Sequence, residues 1–420
     1  MWVRLASLTA VISIVSIPLP LHAQEDAFGY FLELGPPTGP GAREPSLVTL
    51  PDGRVAMSWT EPVGEEFAVR VVTGDSSGWD VARTVAQGPD FFVNWADFPT
   101  LTALADGTLA VNWLRISGDT DYAYDVNIAL SADGGHTWGE TLVPHRDGTQ
   151  RQHGFVTLLT VAADQLRAIW LDGRAYGESD TLAADEAASD VMQLWTATIT
   201  SDGAMSEESQ LDPRTCSCCQ TSAVVADSGA LLVAYRDRTE AEIRDISILR
   251  QVAGVWSAPV PVSMDGWEIS GCPVNGPAID SAGGRAAVAW FTAANNVPKV
   301  SVAFSDDDGT SFGPAIRIDQ VAPTGQVDVI QREDGSALVS WLEYTAVGEA
   351  LMLCHVTPEA GCERPKVLTI SRSGRTMGFP RMTAAAQGIY IAWTESVAPS
   401  ESPENDTTIR MALIRADDLP

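Results

Sequence analysis

The sequence predicts an all-β chain folded as a single β-propeller of seven blades, each of four antiparallel strands. Three observations carry this expectation. One pattern occurs seven times: a short apolar run, a turn rich in Asp or Gly, then an alternating run ending on an aromatic residue. The aromatic residues recur at intervals of roughly 51 to 65 residues, a period that accommodates one four-stranded blade. No long segment has the apolar spacing of an amphipathic helix.

The copies run from Pro45 to Trp59, Pro99 to Trp113, Val156 to Trp170, Thr221 to Tyr235, Pro277 to Trp290, Val327 to Trp341 and Pro380 to Trp393. Each reads as two short strands joined by a tight turn. A further pair of strands follows most copies. The last strand-like run, Thr408 to Ala416, has no partner after it, whereas Tyr30 to Leu34 precedes the first copy and resembles fourth strands elsewhere. The N-terminal segment is therefore expected to complete the final blade, removing the free edges of an open sheet.

Ahead of the repeats, Arg4, the apolar stretch from Leu5 to Pro18 and the small-residue site Leu21-His22-Ala23 read as a secretory leader over residues 1–23, with the propeller over 24–420. The apolar stretch is too short to span a bilayer. The chain is expected outside the cytoplasm, in a periplasm or the extracellular medium, with no membrane insertion. A formal net charge of −29 argues against nucleic acid as a partner, because phosphate binding rests on Lys and Arg. The acidic, Pro- and Ser-rich stretch from Ser396 to Asp406 reads as an exposed loop.

Two turns are more specific. Ser131-Ala-Asp133-Gly-Gly135-His-Thr137-Trp138 and Ser305-Asp-Asp307-Asp-Gly309-Thr-Ser311-Phe312 both fit Ser-x-Asp-x-Gly-x-Thr/Ser-aromatic. Asp suits the turn by accepting from its amides, Gly by adopting positive φ, and the aromatic by plugging against the blade. This pattern resembles the Asp-box, or bacterial neuraminidase repeat, of sialidase-like propellers. In that family the boxes lie on the face away from the active site, so the resemblance implies the fold rather than catalysis. Sialidase propellers typically have six blades, and seven copies depart from that.

Six cysteines fall into two groups. Cys354 and Cys362 flank the hairpin turn of blade six and are expected to form a disulfide in place of an Asp-box. Cys216-Ser-Cys218-Cys219 precedes blade four and Cys272 precedes blade five, so both loops should meet at one mouth of the central channel. Four thiols there suit copper or zinc; two disulfides, or unpaired thiols, are the alternatives. His153, at the matching place before blade three, could add a nitrogen ligand to Cys219 and Cys272, or be a hydrogen-bonded loop residue.

The loops before the innermost strands supply a polar collar of Arg43, Asp97, His153, Cys219, Asn275, Gln326 and Arg381, the usual place for a propeller ligand. Gln220, Arg236, Asp237 and Arg238 add to it, with Arg244 and Asp245 nearby. Arg43-Glu44-Pro45 resembles the Arg-Ile-Pro motif of sialidases, whose arginine holds a sugar carboxylate with two others. The resemblance makes Arg43 the first such arginine, with Arg238 and Arg381 as the further candidates and Asp237 the candidate acid. It does not place a Tyr nucleophile with its Glu: Tyr390 lies within a strand, and blade one offers Glu61, Glu65 and Glu66 but no Asp motif. An ion pair of Arg43 with Glu44 or Asp97, and an internal network of Asp237, Arg238 and Asp245, are the purely structural alternatives.

The function expected from sequence is thus an exported sialidase-like propeller whose cysteine-rich mouth binds copper, zinc, a glycan or another small ligand. An exo-α-sialidase or related glycoside hydrolase, and a disulfide-stapled interaction scaffold, are the alternatives.

Overall fold

A computed structural model describes residues 31–120, 122–176, 191–372, 377–397 and 406–418. Residues 1–23, read as a leader from the sequence, and most of the stretch from Ser396 to Asp406 lie outside these residues. The described residues form seven antiparallel sheets, with two short 3-10 turns at Ala294–Asn296 and Ala416–Asp418. Their innermost strands are Arg43–Thr49, Leu101–Ala103, His153–Ala162, Ser222–Val225, Ala278–Ala282, Ala322–Gln331 and Arg381–Ala385. Each packs against the next, and the seventh packs against the first, which closes the ring.

The closure is covalently economical: Phe31–Leu34 forms the outermost strand of blade seven, pairing Phe31 with Ile414 and Leu34 with Met411 in the strand Thr407–Arg415. Four strands per blade holds for blades three, five and seven. Blade two has three named strands. In blades one, four and six the outermost strand is broken into two pieces that both pair with the third strand. In blade one, Gly78–Trp79 pairs with Gly74 and Asp75, and Arg83–Gly88 pairs with Phe67 to Val71 with a register shift of its own between Val69 and Arg70.

The seven repeated aromatics all sit in second strands and all are buried. Residues i and i+2 of a strand share a face, so a carboxylate two positions on can satisfy the indole N–H. Trp59 donates to Glu61 at 2.8 Å, Trp170 to Asp172 at 2.7 Å and Trp341 to Glu343 at 2.9 Å. In blade four, Tyr235 instead donates to Asp212 of blade three at 2.6 Å.

The two Asp-containing turns have the same hydrogen bonds. Asp133 accepts from the Thr137 amide at 2.9 Å and hydroxyl at 2.7 Å; Asp307 accepts from the Ser311 amide and hydroxyl at the same two distances. Trp138 and Phe312 then pack against neighbouring cores. The Cys354–Cys362 disulfide forms at the corresponding hairpin of blade six, as expected.

Blades are tied to each other by a recurring device at the start of the innermost strands. Glu44, Phe155 and Gln326 have φ of 61°, 53° and 48°, in the left-handed region that non-glycine residues seldom occupy. That conformation turns the backbone N–H out of its own sheet toward a neighbouring blade. Phe155 N donates to Asp97, Gln326 N to the Asn275 side-chain oxygen at 2.9 Å, and Glu44 N to the Thr394 hydroxyl at 3.0 Å. A glycine just before the turn lets the acceptor approach: a Cβ on Gly154 would lie 2.2 Å from Asp97 Oδ2, and one on Gly325 2.0 Å from Asn275 Oδ1. Gln220 similarly accepts from Gly276 N at 3.2 Å, and Asp328 from Met382 N at 2.7 Å.

Two predictions follow from this geometry. Gly325→Ala combines a φ of 96° with that Asn275 clash, so it should lower unfolding stability by about 3 kcal/mol in urea titrations, whereas Gly35→Ala, with open space around it, should stay within about 0.5 kcal/mol. The second concerns pH. Burial raises the Glu44 carboxyl to about 8 and the Asp97 carboxyl to about 7. A raised carboxyl makes the folded chain hold protons that the unfolded chain has released. Its stabilisation is complete below about pH 4 and is lost as pH climbs to the folded value. The urea midpoint should therefore fall between pH 5 and 9, and Glu44→Gln should flatten that fall; an unchanged slope would remove Glu44 as its cause.

Candidate functional site

The cysteine-rich loop is positioned by two blades at once. The outermost strand of blade three, Ser209–Thr215, runs on beside the second strand of blade four, Leu231–Arg236. Thr215 bridges to Asp237, and Cys216 N donates to Arg236 O at 3.0 Å. The chain then turns through Cys218 and Cys219 to start blade four, where Gln220 donates to Ala96 O at 2.5 Å.

The four sulfurs are not four thiols. Cys218 and Cys272 form a disulfide between the loops before blades four and five, 54 residues apart in sequence. Cys216 and Cys219 are free, almost fully buried, and stand with their sulfurs 2.8 Å apart. Cys216 Sγ lies 3.9 Å from Cys218 Sγ. One disulfide beside one thiol pair thus replaces the expected four-thiol cluster.

Cationic groups surround this pair. Arg244 Nη1 lies 3.8 Å from Cys216 Sγ, while its Nη2 pairs with Glu242 at 2.9 Å. Arg238 pairs with the same Glu242 at 2.9 Å. Arg236 is buried beneath Trp267 and donates to the carbonyls of Asn275, Arg244 and Phe291 at 2.9, 2.6 and 2.7 Å. Burial opposes the Cys216 thiolate, but the hydrogen bond from Cys219 and the fields of Arg244 and Arg236 outweigh it and hold this thiol below the usual range. Burial and the neighbouring Cys216 push Cys219 upward. Of the two, Cys216 is the thiol more readily ionised.

Most of the polar collar read from the sequence is occupied in joining blades. Asn275 accepts from Gln326 N and donates to Pro273 O and Thr324 O, and Gln220 bridges Ala96 and Gly276. Asp237 accepts from Arg238 N at 2.7 Å and the Ser247 hydroxyl at 3.1 Å; burial, with the field of Asp212, raises it to about 6. The three arginines proposed for a sugar carboxylate have separate surroundings. Arg43 donates to Gly41 O and stands over Phe67, Arg238 pairs with Glu242, and Arg381 stands over Phe98, 3.8 Å from Asp328. Tyr390 donates to Gln387, and no carboxylate hydrogen-bonds its hydroxyl among the described residues.

His153 corrects a further expectation. It does not join Cys219 and Cys272: its ring is fully buried against that of His145, with Asp125 on one side and Asp147 and Asp172 on the other. The strand pairing of His153 with Asp172 directs it there. Sequence reading missed Asp125, His145, Asp147 and Asp172. The signal was two of the five histidines within nine residues, together with the Trp170-Leu-Asp172 step.

Beside the disulfide, the mouth holds a cavity of about 440 Å³ lined by Trp95, Trp267, Phe291 and Tyr344, with Asn275 and Gln326 among its polar groups. Such an apolar hollow with few polar groups is the usual form of a small-ligand site.

No protein-family model matches the chain, and no curated protein matches it in sequence. Solved structures do. The Hadza microbial sialidase Hz136 aligns over 84% of this chain and 73% of its own, with a TM-score of 0.52 at 15% identity. A protein of unknown function from Dyadobacter fermentans aligns over 89% and 95%, at TM-score 0.49 and 14% identity. The α-L-arabinofuranosidase Arb93A of Fusarium graminearum aligns over 94% and 99%, at TM-score 0.48 and 14% identity. Identities this low speak for architecture only. In architecture, this chain is a seven-bladed β-propeller similar to that of the sialidase Hz136.

Proposed function

We propose that the protein is an exported copper(I)-binding propeller, its cation held by Cys216 and Cys219 at the channel mouth. The observation that carries this reading is the buried pair of free, adjacent thiols beside Arg244, whose sulfurs, 2.8 Å apart, would have to separate to flank the ion. Soft thiolates select copper(I), which accepts as few as two of them, whereas a structural zinc site wants four donors and finds Cys218 and Cys272 engaged in a disulfide. Two thiolates on copper(I) carry a net negative charge, which Arg244 and Arg236 are placed to offset. The interblade disulfide supports an oxidising compartment, in keeping with the leader-like N-terminus. The glycosidase alternative asks for three arginines around one carboxylate, and Arg43, Arg238 and Arg381 keep separate partners.

Competition against a chromogenic copper(I) chelator should show one equivalent bound by the full chain. Cys216→Ser or Cys219→Ser should weaken that binding by at least about 100-fold, while Arg244→Gln, which leaves both sulfurs in place, should weaken it by roughly 10-fold. Equal copper affinity in wild type and both serine variants would rule the reading out.

A further inference from the structure

A second group of donors lies one blade interface away from the thiols. Asp125 opens the third strand of blade two, Tyr124–Ser131. His145 and Asp147 lie in the loop that follows, His153 begins the innermost strand of blade three, and Asp172 ends its second strand. His153 and Asp172 are fully buried and the Asp147 side chain is 8% exposed.

Their polar atoms are poorly satisfied by each other. His153 Nδ1 and Nε2, Asp125 Oδ1 and Asp147 Oδ1 are buried with no hydrogen bond. His153 Nε2 stands 3.2 Å from Asp147 Oδ1 and 3.6 Å from Asp172 Oδ1. A charge-assisted hydrogen bond would draw such pairs to about 2.8 Å. The edge of a tetrahedron of oxygen and nitrogen donors around zinc, with bonds near 2.0–2.1 Å, is instead about 3.4 Å. The charge balance points the same way. Asp125, Asp147, Asp172 and Glu208 bring four carboxylates, and Arg174, paired with Asp172 and Glu208 at 2.7 Å, brings one positive charge.

We infer that this cluster is a zinc site, with His153 Nε2, Asp147 Oδ1 and Asp172 Oδ1 as its protein ligands. The surroundings have the form of outer partners that orient such ligands. Asp125 Oδ1, 3.4 Å from His153 Nδ1, fixes which ring nitrogen faces the cation. Arg174 Nε and its backbone N–H hold Asp172 Oδ1 at 2.8 and 2.9 Å, and Trp170 Nε1 and Arg174 Nη2 hold Oδ2 at 2.7 Å each, so ligation through Oδ1 would take the place of one of these bonds. Thr149 N donates to Asp147 Oδ2 at 3.1 Å, while Oδ1 makes no hydrogen bond and faces His145 Nδ1 at 3.5 Å and Arg174 Nη2 at 3.7 Å as well as His153. The His145 ring stacks on His153 at 3.8 Å, its Nε2 accepting from Val126 N at 3.2 Å, and walls one side. Nitrogen among the donors disfavours calcium, which takes oxygen ligands. Three protein donors leave one position for water or another small ligand.

The test uses the full chain and its Cys216→Ser/Cys219→Ser double variant, stripped with chelator and reloaded with zinc. Elemental analysis should give one zinc per chain in the double variant as well as in wild type. Asp147→Asn and His153→Gln should each lower zinc affinity by at least about 100-fold, and Asp125→Asn, which spares every ligand, by roughly 10-fold. Cobalt loaded in place of zinc should show tetrahedral absorption without a thiolate charge-transfer band in the double variant. Absence of zinc from both proteins, or equal zinc affinity in Asp147→Asn, would overturn the assignment. So would an Asp147→Asn chain that melts higher than wild type while zinc moves neither melting temperature, since a protonated His153 would then be balancing the carboxylates. Copper loss in the serine variants leaves this test untouched, so the two sites succeed or fail separately.

Discussion

The molecule depends on a small number of side-chain oxygens that accept backbone N–H groups across blade boundaries. A propeller blade is a twisted sheet that cannot cover its own faces, and apolar packing alone between such sheets leaves their angle soft. The bonds from Phe155 N to Asp97, Gln326 N to Asn275 and Glu44 N to Thr394 fix that angle at the axis, where the blades are closest. Each needs a left-handed residue, a cost of about 1–3 kcal/mol that surrounding structure must offset. Closure through Phe31–Leu34 makes the constraint circular, because the blade that carries Thr394 is completed by the strand preceding blade one.

This constraint decides what the mouth has left for chemistry. Asp97, Asn275 and Gln220 spend their side-chain hydrogen-bonding capacity largely on neighbouring blades, whereas Gln326 commits its backbone N–H but not its side-chain oxygen. Arg236 is the extreme case: a guanidinium wholly buried to tie three carbonyls of two blades. A collar of polar residues at a propeller funnel is thus as much a rivet line as a binding surface, and the groups less committed include the thiols, the aromatic hollow with the Gln326 side-chain oxygen, and the imidazoles.

Local signals were legible in the sequence because their causes are local. The seven aromatics, the Asp-containing turns and the Cys354–Cys362 hairpin depend on neighbours within about ten residues, and each is found where the pattern placed it. The interblade disulfide was legible as one of several pairings, because register placed Cys218 and Cys272 at one mouth without saying which sulfur points inward. The histidine cluster was not legible. Asp125, Asp147 and Asp172 read singly as ordinary surface acids in a chain of net charge −29. What gathers them is strand pairing between His153 and Asp172 and packing between blades two and three. The breaks in the outermost strands, such as that between Gly78–Trp79 and Arg83–Gly88, were also hidden, since a solvent-facing edge offers little alternation to detect.

The two proposed cation sites differ in a way that follows from charge and donor softness together. Around Cys216 the neighbours are Arg236 and Arg244, and Glu242 is shared between Arg238 and Arg244. That positive surround favours thiolate and discourages any complex whose net charge stays positive. Around His153 the neighbours are three aspartates and Glu208 against Arg174, a surround that favours a hard or borderline dication and raises the cost of an empty centre. A monovalent soft cation on the first and a divalent borderline one on the second is the arrangement that leaves least buried charge uncompensated. Both centres sit where adjacent blades meet, so filling either would also stiffen the joint that the side-chain acceptors hold.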